Sequence, residues 1–95
     1  MKFVSLIKFT EQGFQNIAES PERAASFSKQ AKQAGIKISE LLWLNGRFDG
    51  LIVFEAPDVQ TASATMLQLS KAGNVETETL VAFDAKEMKQ IVEKL

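Results

Sequence analysis

Around Asn45-Gly46 the chain carries two apolar runs, Ile36 to Leu44 (IKISELLWL) and Phe48 to Glu55 (FDGLIVFE), and neither alternates cleanly between apolar and polar residues. Successive side chains of a strand point to opposite faces of the sheet. Phe48, Gly50, Ile52 and Phe54 therefore face one way and Leu51 and Val53 the other, while Leu42 and Leu44 oppose Leu41 and Trp43. A sheet with one face in water shows polar residues at every second position. This strand pair does not, so whatever fold it enters must cover it on both sides.

The flanking segments supply helices for one of those sides. Lys2 to Phe9 (KFVSLIKF) is short and rich in Phe, Val, Leu and Ile, as suits a buried strand. After a Thr10 to Gly13 turn and a brief segment Phe14 to Glu19, Ser20-Pro21 has the N-cap and N1 residues of a helix start. Ala24, Phe27, Ala31 and Ala34 form a narrow apolar stripe that Gly35 ends. A strand over Ile36 to Leu44, a tight turn at Asn45-Gly46 and a return strand over Phe48 to Glu55 make a hairpin. Asp58 after Pro57 caps a second helix, with Val59, Ala62, Met66 and Leu69 on one face and Gly73 at its end. Asn74 to Phe83 gives a fourth strand, and Asp84 caps a terminal helix striped by Met88, Ile91, Val92 and Leu95. The order βαββαβ plus a helix predicts one α+β domain over residues 1–95. Its form is ferredoxin-like: a four-stranded antiparallel sheet with strands one and three central, helices on one face and an extra C-terminal helix.

Two helices cannot cover two faces. A second copy packing sheet against sheet buries the open one by a two-fold operation and leaves a space between the sheets. The expectation is a homodimer, and the alternative is a terminal helix folded back over its own sheet. Composition removes several other readings. Eleven basic and twelve acidic side chains leave a formal charge of -1 with no basic cluster, which disfavours nucleic acid. There is no cysteine and no histidine, hence no thiolate site, no cysteine nucleophile and neither the commonest metal ligand nor the commonest general base. No cofactor is expected. The uncharged run Phe3 to Ile7 is too short for a secretory leader, so the chain reads as cytosolic, with no membrane span.

At the hairpin, Gly46-Arg47-Phe48-Asp49 resembles the motif that names the GYD-domain family, small proteins of the dimeric α+β barrel superfamily. The likeness extends through Phe3-Val4-Ser5-Leu6, Thr10 and Gly13, Ser20-Pro21-Glu22-Arg23 and Glu55-Ala56-Pro57-Asp58. It continues through Gly73-Asn74-Val75 with Thr77, Thr79, Ala82 and Phe83. Phe48 stands where the family has tyrosine, which removes a phenol, and Glu76 stands where a basic residue often follows the Gly-Asn-Val run. The resemblance implies a dimeric barrel and no particular activity.

Five residues are candidates for ligand binding. Trp43 and Phe48 flank the turn, where an indole N–H could orient a ligand, although such aromatics more often pack a core or interface. Asp49 could hold a carboxylate at a cavity mouth or bond backbone in the turn. Arg23 could clamp an anion, or pair with Glu55 or Asp58. Lys8, the fifth, could face a space between the sheets; Ser5 on the same strand has opposite parity, so at most one of the two does unless the strand bulges.

The first functional reading is a homodimeric binding or assembly module enclosing a small apolar or amphipathic molecule between the two sheets. The second is a cofactor-independent oxygenase or isomerase acting on an aromatic or keto compound through Asp49, Lys8 or Trp43. A DNA-linked regulator would need a separate DNA-binding partner, since no helix-turn-helix fits. Arg47 to Phe54 has only a superficial likeness to RNA-recognition strands, because the stacking positions would be Asp49 and Leu51.

Overall fold

The computed structural model describes every residue from Met1 to Leu95. The elements run β1 (Lys2–Phe9), α1 (Glu11–Gln15), a 3₁₀ turn (Ile17–Glu19), α2 (Ser20–Gln33), β2 (Lys37–Trp43), β3 (Gly50–Glu55), α3 (Val59–Lys71), β4 (Val75–Ala82) and α4 (Ala85–Val92). The four strands form one antiparallel sheet in the order β2-β3-β1-β4, with β1 and β3 in the middle. This is the ferredoxin-like α+β arrangement that the sequence predicts.

The register fixes which residues share a face. Rows across the helix-covered side read Ile38, Phe54, Phe3 and Val81; then Leu41, Ile52, Ser5 and Thr79; then Trp43, Gly50, Ile7 and Thr77. Their centre is the core: Phe3, Ile7, Ile52 and Phe54 pack with Phe27, Ala31, Ile36, Ala56, Ala62 and Met66. Phe3 and Phe54 stack at 5.3 Å between ring centroids. Ser5 is fully buried among them, and its hydroxyl is satisfied by the Thr79 hydroxyl at 3.1 Å.

On the opposite side the rows read Lys37, Glu55, Lys2 and Ala82; then Glu40, Val53, Val4 and Leu80; then Leu42, Leu51, Leu6 and Glu78. No element of the chain lies over them. Leu42 and Leu80, on the edge strands, are 47% and 48% exposed. The alternative in which the terminal helix folds back here does not occur: α4 packs extensively on no other element and buries none of its residues. Its capping box, in which the Asp84 carboxylate accepts from the Glu87 N–H at 2.8 Å and Glu87 reciprocates at 3.1 Å, holds the helix by local bonds alone. The molecule measures 48 × 30 × 18 Å with a radius of gyration of 14.3 Å, against about 12 Å for a compact chain of this length.

Four local expectations change. Thr10 to Gly13 is not a simple turn: the Thr10 hydroxyl accepts from the Gly13 N–H at 3.1 Å and caps the short helix α1. The hairpin does not turn tightly at Asn45-Gly46: neither residue has the positive φ that such a turn requires. The connection instead spans 44–49, so β3 begins at Gly50 rather than at Phe48. Asp49 sets that shape, since its N–H donates to the Ile7 carbonyl at 2.8 Å and its carbonyl accepts from Leu44 N–H at 2.8 Å. Ser20 does not cap α2 either; the 3₁₀ turn runs directly into the helix, and Glu19 takes the cap position without a side-chain bond. Val59 on α3 and Ala34 on α2, both assigned to apolar stripes, are exposed. Gly35 and Gly73 do end α2 and α3 in the left-handed region, at φ 85° and 86°.

Candidate functional site

Helix α2 leans on β2 and α3 on β4, and the two helices do not pack closely on each other. The inward side chains Ala24, Ala31 and Ala62 are too small to bridge the gap over the central strands. A cleft of about 330 Å³ opens there, at the hairpin end of the sheet. Its walls are mainly apolar, with Phe27, Leu41, Ile52, Leu69 and Val75 among them. Its polar side chains are Ser20, Arg23, Ser26 and Gln30 from α2, Gln68 from α3, and Asp49 and Asn74 from loops. The cleft lies on the helix-covered side, inside one subunit, and not on the open face that a second sheet would cover.

The five candidates divide between the two sides. Trp43, Asp49 and Arg23 line the cleft. Lys8 and Phe48 sit on the other side, around a depression of about 180 Å³ shared with Leu6, Glu76, Thr77 and Glu78; Phe48, expected to face with Gly50, Ile52 and Phe54, precedes the start of β3 and does not follow its parity. There Lys8 is the ladder partner of Glu76, and the Arg47 guanidinium lies 5.6 Å from the Phe48 ring centroid. The strand parity that sends Ser5 into the core sends Lys8 outward.

Each cleft residue is held by a definite bond. The Trp43 indole N–H donates to the Ser20 hydroxyl at 2.9 Å, joining the end of β2 to the first turn of α2. The Asp49 carboxylate accepts from the Phe9 N–H at 2.9 Å, where β1 leaves the sheet. Arg23 donates through Nη1 to the Asn16 carbonyl at 2.8 Å, and its Nη2 is buried with no partner. The expected pairing of Arg23 with Glu55 or Asp58 is therefore replaced. Glu55 lies at the far end of β3, facing Lys2 and Lys37 in the ladder, and Asp58 caps α3 by accepting from Thr61 N–H at 2.7 Å. Hydrogen bonds from the Thr61 side chain and backbone hold the Asp58 carboxyl below its ordinary pKa.

Replacing Asp49 with alanine is expected to destabilise the fold by about 1–3 kcal/mol, since the Phe9 N–H loses a charged acceptor in a half-buried site. Chemical denaturation checks this, and Asp49→Asn, which keeps an acceptor, should recover most of the loss.

The sequence reading missed Ser20 as the Trp43 acceptor, and Gln30 and Gln68 as lining residues. Ser20, Arg23 and Gln30 fall at three and four residue steps from Phe27 or from each other, so polar residues flanking the apolar stripe are visible on that helical face. Nothing local signals the Ser20–Trp43 bond, which spans 23 residues.

No group of three or more His, Cys, Asp or Glu residues is placed to hold a metal ion, and no helix is long and apolar enough to cross a membrane. The chain is similar to a Thermus thermophilus protein named "Glutamine synthetase and cystathionine beta-lyase binding protein". The two are 28% identical over 87 residues, covering 90% of this chain and 92% of that one. Residues 3–92, from the first strand to the last turn of α4, match the GYD domain. A match of that extent, on a four-stranded sheet whose hairpin carries Gly46-Arg47-Phe48-Asp49, places the chain in the GYD-domain family.

Proposed function

We propose that this chain is a non-catalytic binding module that works as a homodimer, its open sheet faces packed together and a small apolar or amphipathic molecule held in the helix-side cleft of each subunit. The observation that carries the reading is the uncovered face, where Val53, Val4 and Leu80 and then Leu42, Leu51 and Leu6 lie in adjacent cross-strand rows. Each such side chain gains about 1.5–3 kcal/mol on full burial. Lys2, Lys8 and Lys37 with Glu40, Glu55, Glu76 and Glu78 surround the apolar rows, so a two-fold copy can set charges of opposite sign against each other. The unpartnered stripe of α4 adds apolar surface for the same copy to cover.

The name of the Thermus thermophilus relative supports docking to other proteins as the task of such a module. Catalysis finds less support in the geometry. Lys8 lies across the sheet from the cleft, and Asp49 and Trp43 are each engaged in a bond that shapes the fold.

Sedimentation equilibrium at micromolar concentration is expected to give twice the 10.5 kDa chain mass. Leu51→Lys places a charge at the centre of the packed rows and is expected to weaken the dimer by about a hundredfold or more, with circular dichroism unchanged. A wild-type mass of one chain would sink the dimer.

A further inference from the structure

We infer that the cleft takes a carboxylate on an apolar body, with the acid group met by Arg23 and Ser20 in the first turn of α2. The inference rests on the cleft being a ligand site. Two donors there have no acceptor. Arg23 Nη2 is shut away from solvent without a partner, so a carboxylate in the cleft meets it through a small swing of the guanidinium toward the cleft, which Arg23 lines. Ser20, 8% exposed, receives the Trp43 indole N–H on its oxygen, and its own hydroxyl proton has no protein acceptor. Buried donors are nearly always satisfied, by protein, water or ligand, and a guanidinium matches a carboxylate through paired N–H groups.

The remaining inventory fits the same molecule. Arg23 is the cation and Asp49 the acid among the lining residues, and the Asp49 carboxylate is turned onto the Phe9 N–H at the β1 side. The positive end of the 14-residue α2 adds to the attraction at the Arg23 side. Beyond these donors, Phe27, Leu41, Ile52 and Leu69 offer an apolar bed for the rest of the ligand.

The test compares 4-phenylbutyrate with its neutral isostere 4-phenylbutyramide, followed by the Trp43 indole N–H resonance, a single signal because the chain has one tryptophan. The acid is expected to bind about tenfold to a hundredfold more tightly than the amide. Arg23→Gln should abolish that preference by bringing acid affinity down to the level of the amide, with circular dichroism and the melting temperature showing that the variant is folded. Equal binding of acid and amide to the wild type would overturn the anion contact and leave the cleft as a ligand site whose buried N–H is served by water. An acid that shifts surface lysine signals and leaves Trp43 unmoved would also overturn it. No response to either probe at millimolar concentration would remove the ligand site itself.

Discussion

Phe54→Ala is expected to lower the unfolding free energy by about 3–5 kcal/mol, a large share of the 5–15 kcal/mol that holds a domain of this size. Phe54 is wholly inaccessible, at 0% exposure, in a central strand with Phe3 across one ladder and Ile38 across the other. Truncation removes the stacked ring pair at 5.3 Å and leaves a void between rigid strands that cannot close over it. Urea denaturation at one fixed protein concentration measures the loss, the fixed concentration keeping the proposed self-association from altering the comparison. A loss below about 1.5 kcal/mol would mean that the core repacks around the site, contrary to a sheet pinned on both ladders.

Gly13→Ala is expected to cost about 2–4 kcal/mol, from overpacking and from hydrogen bonds that must lengthen. The sign is opposite to helix propensity, which favours alanine over glycine within α1 by about 1 kcal/mol. The Gly13 backbone has no positive φ to protect. What forbids a side chain is the Asn74 backbone: an added Cβ would overlap its carbonyl oxygen, and would lie 3.0 Å from its carbonyl carbon and 3.2 Å from Phe9 Cδ1. Neither segment can yield cheaply. Thr10 donates its N–H to the Asn74 carbonyl at 3.1 Å and its hydroxyl to the Gly73 carbonyl at 2.6 Å, and Gln12 donates to the Ala72 carbonyl at 3.1 Å. Phe9, Ala72 and Asn74 also line the cleft, so the variant should also weaken binding of the ligand proposed for it. Gly46→Ala is the control: nothing lies within 4 Å of its Cβ position, and the change should stay within about 0.5 kcal/mol. A thermal melt showing Gly13→Ala as stable as that control would refute the close approach.

The fold itself was legible because its cues are local. Alternation at period two, stripes at period three and four, Asp58 and Asp84 as caps and Gly35 and Gly73 as stops each act within a few residues, so the βαββαβ order follows from them, and the right-handedness of its crossovers then puts β1 and β3 in the middle. The local cues failed where a distant partner competes for the same group. Ser20 has the chemistry of an N-cap, but the Trp43 indole claims its oxygen. Asn45-Gly46 favours a two-residue turn, but Asp49 bonds to Ile7 and Phe9 on a third strand and draws the loop out over 44–49.

By itself, then, the sequence determined the order of elements, the two greasy sides of the sheet and the shortage of catalytic groups, because parity, periodicity and residue chemistry belong to the chain. Only the tertiary structure decided that the cleft lies under the helices, that Trp43, Asp49 and Arg23 share it while Lys8 and Phe48 do not, and that α4 leaves the open face bare. Those outcomes depend on where two narrow, alanine-rich helices come to rest over a twisted sheet, and no neighbouring residues in the chain encode that distance.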